Sequence, residues 1–217
     1  EKDKKITIEE AKIAGKAFLE THPDKELGYY AIGTVYYNEK DYVTAQKYYL
    51  DAVARDSSNF MSWYQLVLTD MELENVDSLY KHSSGALRFY PEQPLFYLFN
   101  GTALIEMKKY EEAIKVLEKG RYMSADKELT ANFDIYIADL YYELGEKEKM
   151  YKQYDRVLRN DPENSYVLNN YAYFLSVDNI RLDEALKMSA ITIEKEPNNA
   201  TYLDTYAWIL YKLGRYK

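Results

Sequence analysis

The chain of 217 residues contains no cysteine, which removes disulfide frameworks, thiolate metal sites and cysteine nucleophiles from consideration and leaves both oxidising and reducing compartments open. Glycine (8) and proline (5) are scarce, whereas an all-β chain needs a turn signal every ten residues or so. No apolar run approaches the roughly 18 residues of a membrane span, and nothing resembles a signal peptide. Positive charge is in deficit, with 28 basic against 36 acidic residues and a net charge of −8. No basic stripe is visible, so phosphate-driven nucleic-acid binding is not expected. There is no P-loop and no glycine-rich dinucleotide fingerprint. The two histidines, His22 and His82, lie far apart, and the sequence offers His82 no evident carboxylate partner for a nucleophilic triad. The acidic run Glu143 to Glu148 interleaves with Lys147 and reads as a solvated turn, not a metal site. The expectation is a protein with no enzymatic activity, no cofactor and no metal.

What is present is a period. Ala11, Ala45, Leu79 and Ala113 follow one another at steps of 34 residues, and the phase continues through Met150 and Ala185 with small insertions. A step of about 34 over most of a chain is that of a helix-turn-helix unit, copied and stacked. The phase gives units at 26–59, 60–93, 94–130, 131–164 and 165–199, with partial units at 1–25 and 200–217, read together as one array over 1–217. In the first unit one amphipathic pattern covers 26–39 and a second 42–55, joined by a turn at Lys40-Asp41. Comparable turns fall at Lys108-Lys109, Gly145-Glu146 and Leu213-Gly214-Arg215, and glycine at a helix end supplies a left-handed cap.

The columns of this array have physical meaning. Pro23, Pro91, Pro162 and Pro197 share one column at the end of a second helix, where a missing N–H breaks the helix. Pro94 opens a first helix, where proline is tolerated. Gly33, Val67, Gly101, Ala138, Ala172 and Ala207 form a column of mostly small residues in the first helices, which lets helix backbones approach closely. Large neighbours fill the remaining space: Tyr29, Trp63, Tyr97, Leu168 and Leu203 near the start of the first helix, and Tyr36, Leu104, Tyr141, Leu175 and Leu210 two turns later. Leu79, Ser83, Met150 and Val157 depart from their columns, predicting wider helix spacing at Leu79 and Met150. About three extra residues near 124–130 and one near 178–181 predict bulged links. The Asn100-Gly101-Thr102 and Asn199-Ala200-Thr201 tripeptides fit the glycosylation pattern by coincidence.

The stretch Tyr29-Tyr30-Ala31-Ile32-Gly33-Thr34-Val35-Tyr36-Tyr37, then Asp41-Tyr42-Val43-Thr44-Ala45, Tyr49 and Ala52, resembles the tetratricopeptide repeat motif. Asp161-Pro162 and Glu196-Pro197-Asn198-Asn199 resemble its closing turn. The resemblance covers essentially the whole chain. It implies an all-α, right-handed superhelical solenoid of antiparallel helix pairs that binds another protein or peptide.

In such a stack the first helices line the concave side, and their free stripe runs at i, i+4, i+7 spacing between the packing columns. The candidate groove residues are Tyr30 and Tyr37; Met61, Tyr64, Leu68 and Met71; Leu98, Thr102 and Ile105; Ile135, Asp139 and Tyr142; and Asn169 and Tyr173. Tyrosine and methionine suit a groove because they offer large contact area with an adaptable or polar tip. The stripe lacks the Lys, Asn and Arg set with which one subclass of the family grips chaperone carboxylate tails. Two other roles fit the same sequence: a spacer or assembly element using its ends or convex face, and an accessory segment of a larger enzyme or sensor. Residues 7–21, capped by Thr7, have the phase of a second helix without a first, and 200–213 that of a first helix without a second. The expectation is therefore an excerpt of a longer protein, with weak head-to-tail self-association through its half-repeats. The Tyr-rich, Cys-free composition points to a bacterial chain, cytoplasmic or in the envelope.

Overall fold

The structure, a computed structural model, describes residues 7–215. Among them are twelve helices and no strand, in an all-α helical-repeat fold. They are α1 (Ile8–Thr21), α2 (Glu26–Asn38), α3 (Tyr42–Arg55), α4 (Phe60–Glu72), α5 (Val76–Phe89), α6 (Pro94–Glu106) and α7 (Tyr110–Met123), followed by α8 (Lys127–Glu143), α9 (Lys147–Asn160), α10 (Ser165–Val177), α11 (Leu182–Lys195) and α12 (Ala200–Lys212). The chain divides into two compact units, one ending at Met123 and the other starting at Ser124.

In the first unit α2 pairs with α3, α4 with α5 and α6 with α7, while α1 lies on α2. The pairing rests on close approach of small residues to large ones. A Cβ added to Gly33 would meet the Tyr49 ring at 2.9 Å, and one added to Gly101 would meet a Leu117 methyl at 2.4 Å. Ala45, Leu79 and Ala113, the column that fixed the period, are all buried. Around Ala45 and Leu79 one continuous core gathers Tyr49, Trp63, Leu66, Val67, Ala86, Phe96 and Phe99. The links carry a device of their own. Tyr29 Oη, Trp63 Nε1 and Tyr97 Oη each donate to the link carbonyl six residues upstream, on Pro23 (3.0 Å), Ser57 (2.9 Å) and Pro91 (2.8 Å). The column predicted as bulky filler is thus also a polar clasp, satisfying carbonyls that the helix breaks leave open.

In the second unit α8 pairs with α9 and α10 with α11, and α12 lies against α11 and α10. Its core holds Ala138, Met150, Tyr154, Val157, Val167, Tyr171, Ala172, Leu175, Ala185 and Ile209. The expected bulge near 124–130 does not form. The extra residues lengthen the helix instead: α8 runs 17 residues where the other first helices run 13, and Asp126 caps it by accepting from the Leu129 N–H. Extending a helix satisfies each added peptide group internally, which a bulged loop does not. The single extra residue near 178–181 does stay in its turn, where Asn179 and Arg181 both take left-handed backbone.

The turn inside each helix pair repeats one geometry. Lys40, Glu74, Lys108, Gly145, Asn179 and Gly214 occupy equivalent positions, all at φ between 50° and 73°. Only two are glycine. At the faces of α1 and α12 that complete pairs close, apolar residues stay open: Ile8 is 52% exposed and Leu203 43%, and Ala207 is exposed.

Two predictions follow from this geometry. A non-glycine residue in left-handed backbone costs about 1–2 kcal/mol, against which glycine costs about 0.5–1 kcal/mol of chain entropy. Lys40→Gly and Lys108→Gly should each stabilise by roughly 0.5–1 kcal/mol, and Gly145→Ala should destabilise, read as shifts in the urea midpoint. Tyr97→Phe, which removes one clasp and nothing else, should cost about 0.5–1.5 kcal/mol.

Candidate functional site

The candidate residues are divided between the two units. In the first unit Tyr30 and Tyr37 lie on α2, Met61, Tyr64, Leu68 and Met71 on α4, and Leu98, Thr102 and Ile105 on α6. Met61 and Met71 are open, at 43% and 41% exposure, and the other seven are half-buried. This surface is less open than a free stripe because its rings lean on one another. Tyr30 tilts against Tyr49 at 5.9 Å between centroids, Tyr37 meets Tyr42 edge-on at 5.2 Å, and Tyr64 sits between Phe60 (5.9 Å) and Phe99 (6.1 Å). Such contacts hold each ring in place, so the surface exists before anything binds to it. The Thr102 hydroxyl donates back to the Leu98 carbonyl at 3.0 Å and presents its methyl.

In the second unit Ile135, Asp139 and Tyr142 lie on α8, and Asn169 and Tyr173 on α10. Tyr142 and Tyr173 are each 43% exposed, and both rings pack on Phe174, at 4.4 and 5.5 Å. Ile135 is half-buried against the core. Two residues differ from the expected free stripe. Asn169 is buried at 4% exposure, its Oδ1 without a hydrogen-bond partner and its amide 3.3 Å from Asn170 Oδ1. Asp139 is half-buried and accepts from Tyr154 Oη (3.2 Å) and Tyr166 Oη (3.4 Å). Burial pushes the Asp139 carboxyl above its ordinary range, although the two tyrosine hydroxyls pull the other way. Tyr154, facing that carboxylate from the core, is pushed up as well, by burial first and by Asp139 second.

The sequence reading missed a buried polar cluster in the first unit. His82 does have a carboxylate partner: its Nδ1 lies 2.7 Å from Asp70 Oδ2, and Gln46 Nε2 donates to Asp70 Oδ1 at 2.6 Å. Asp70 is fully buried and His82 is 6% exposed. The signal was available in the columns. Asp70 stands where the other units have Tyr36, Leu104, Tyr141, Leu175 and Leu210. Beside it opens a cavity of about 380 Å³, lined by Asp70, Met71, Glu74, Asn75, Val76, Leu79, Thr102 and Glu106. Asn100 is another residue whose role was not apparent. Its buried amide donates to Ser83 Oγ (2.9 Å) and Ser84 Oγ (2.8 Å), which closes it to glycosylation and explains the serine where an aromatic is usual.

Among the described residues no group of three or more His, Asp or Glu is placed to hold a metal ion, and no helix is long and apolar enough to cross a membrane.

The Asp139 environment makes a signed prediction. A carboxyl that holds its proton more tightly folded than unfolded favours folding at low pH, and that contribution fades as pH rises through its raised folded value. Asp139→Asn should therefore raise stability at neutral pH, and the gap to the parent should close as pH falls toward the ordinary carboxylate range. Equal denaturation midpoints for the two proteins across that range would contradict it.

The comparisons agree with this architecture. Two family models, both described as tetratricopeptide repeat, match residues 28–59 and 96–126 in one case and 135–164 in the other. No curated protein matches the chain. Several solved structures share the fold. YrrB, described as a TPR protein with an unusual peptide-binding site, is 18% identical with a TM-score of 0.69, over 89% of this chain and 98% of that one. MamA is 19% identical with a TM-score of 0.69, over 79% and 98%. PilF of Pseudomonas aeruginosa is 22% identical with a TM-score of 0.68, over 92% and 89%. With the repeat models falling on the helix pairs described above, the chain belongs to the tetratricopeptide repeat family.

Proposed function

We propose that the chain is a scaffold that binds a segment of another protein, and that the surface of α2, α4 and α6 is where the segment docks. Tetratricopeptide repeats generally mediate protein–protein interaction, and YrrB carries a peptide-binding site on the same fold. The observation that carries the reading is the state of the first-unit surface. Tyr30, Tyr64, Leu68, Leu98 and Ile105 are neither sealed in the core nor loose in solvent, and Met61 and Met71 flank them exposed. An apolar patch held rigid in that way costs solubility unless a partner covers it. Half-buried aromatic rings fixed by their neighbours also lose little entropy on binding. Tyr142 and Tyr173 give the second unit a smaller surface of the same kind. The reading requires no chemistry of the protein beyond recognition.

Tyr64, Leu68 and Leu98 should carry most of the affinity. Tyr64→Ala and Leu98→Ala should each weaken binding by roughly tenfold or more, in keeping with aromatic and apolar anchors near the centre of an interface. The measurement is calorimetric titration with peptides selected from a random dodecapeptide display library on the intact chain. Affinity unchanged in the double variant would remove the docking assignment.

A second reading, weak head-to-tail self-association, is favoured by the open faces of α1 and α12, where Ile8, Leu203 and Ala207 stay exposed. Burying about three apolar side chains yields roughly 5–8 kcal/mol, which association costs of about 4–15 kcal/mol largely offset. Sedimentation should therefore show a monomer at micromolar concentration, and a tight dimer there would contradict the estimate.

A further inference from the structure

The cavity beside Asp70 lies entirely within the first unit, between the end of α4, the start of α5 and the last turns of α6. Its origin can be read from the columns. At the equivalent position Leu104 and Leu175 are buried, and Tyr36, Tyr141 and Leu210 are half-buried. Here the shorter Asp70 occupies that position and turns its oxygens to Gln46 and His82. Replacing a packing residue with a buried carboxylate sacrifices apolar burial and requires compensation from partners. A fold gains nothing from that exchange at a position where five other units use a hydrophobe, and such local violations mark functional places.

The lining has one sign of charge. Asp70, Glu74 and Glu106 contribute three carboxyl groups, and no lysine or arginine lines the cavity. Lys109, close by in sequence, is held elsewhere, its Nζ 5.8 Å from the centre of the Tyr80 ring. The neutral polar groups are committed to the backbone: Asn75 Oδ1 accepts from the Ser78 N–H at 3.0 Å, and the Thr102 hydroxyl donates to Leu98. Glu74 and Glu106 are exposed. The rest of the wall is apolar, formed by Met71, Val76 and Leu79. An aliphatic wall ending in carboxylates matches a side chain with a hydrocarbon stem and a cationic head. A carboxylate would be repelled there, and a neutral apolar group would leave the acidic mouth uncompensated.

We infer that this cavity receives a lysine or arginine side chain of the docked segment, its stem against Met71, Val76 and Leu79 and its head at Glu74 and Glu106. The inference rests on the docking surface proposed above, which the cavity adjoins through Met71 and Thr102. Asp70 forms the floor of the cavity, fully buried, and its oxygens are already held by Gln46 and His82, so the head is met by the two glutamates.

The test uses the intact chain and the random dodecapeptide display library. Selected peptides should be enriched in lysine or arginine next to apolar residues. Glu74→Gln combined with Glu106→Gln should weaken a selected peptide by about 3- to 10-fold, the scale of two partly exposed ion pairs. Replacing that peptide's basic residue with norleucine should weaken it equally on the parent protein and have no further effect on the double variant. Both glutamates are exposed, so the variant keeps its fold. Peptides weakened by Tyr64→Ala and Leu98→Ala but indifferent to the glutamine variant would overturn the cavity assignment and leave the docking surface standing. Peptides indifferent to both sets, or a library that yields no binder, would overturn both.

Discussion

Everything in this protein depends on two helix backbones approaching closely, which happens only where a small side chain on one faces a large one on the other. Gly33 against Tyr49 and Gly101 against Leu117 show the limit of that approach, with no room for a single added carbon. The same constraint recurs between α1 and α2, where Gly28 meets Leu19 and Phe18, and between α4 and α5, where Gly85 meets Trp63. It fixes which face of each helix is buried, and so which face remains for a partner. The proposed docking surface is a by-product of packing, because what lies between the packing columns is packed only in part.

The parts of the fold set by periodic constraints were legible in the sequence. A column of Ala11, Ala45, Leu79, Ala113, Met150 and Ala185 can have one phase only, and the helices of the complete pairs lie within a residue of where that phase puts them, α8 excepted. The 124–130 insertion was not legible in the same way. Composition says that residues were added but not whether they extend a helix or bulge a loop, and the Asp126 cap decides that only once the helix is drawn. His82 was missed for a related reason: its partner is twelve residues away, on a different helix, and a column reader expects a hydrophobe at Asp70. The exposure of the candidate residues was legible only in outline. Spacing puts Asn169 and Asp139 on the stripe, but their depth depends on how far neighbouring tyrosines lean across them.

Buried polar groups are satisfied locally in both units. In the first they include the Asp70–His82–Gln46 cluster, Asn100 on Ser83 and Ser84, Tyr49 on Thr34, and the three clasps to link carbonyls. In the second, tyrosine hydroxyls reach carboxylates directly, with Tyr154 and Tyr166 on Asp139, Tyr171 on Asp155 and Tyr151 on Asp178. Tyrosine serves both units because its ring packs like a hydrophobe while its hydroxyl satisfies an acceptor at the edge of the core. That double use accounts for 25 tyrosines in a chain without cysteine.

The hairpin turns, with their shared left-handed residue, have one more consequence. Their backbone shape is imposed by the helices on either side, and at Gly145 and Gly214 nothing lies within 4 Å of where a side chain would begin. Lysine, glutamate and asparagine therefore fit at these positions without a clash, each at the cost of left-handed backbone strain that glycine avoids. They are natural sites for fluorophores, affinity tags or grafted loops, Glu74 excepted, because it borders the cavity beside Asp70.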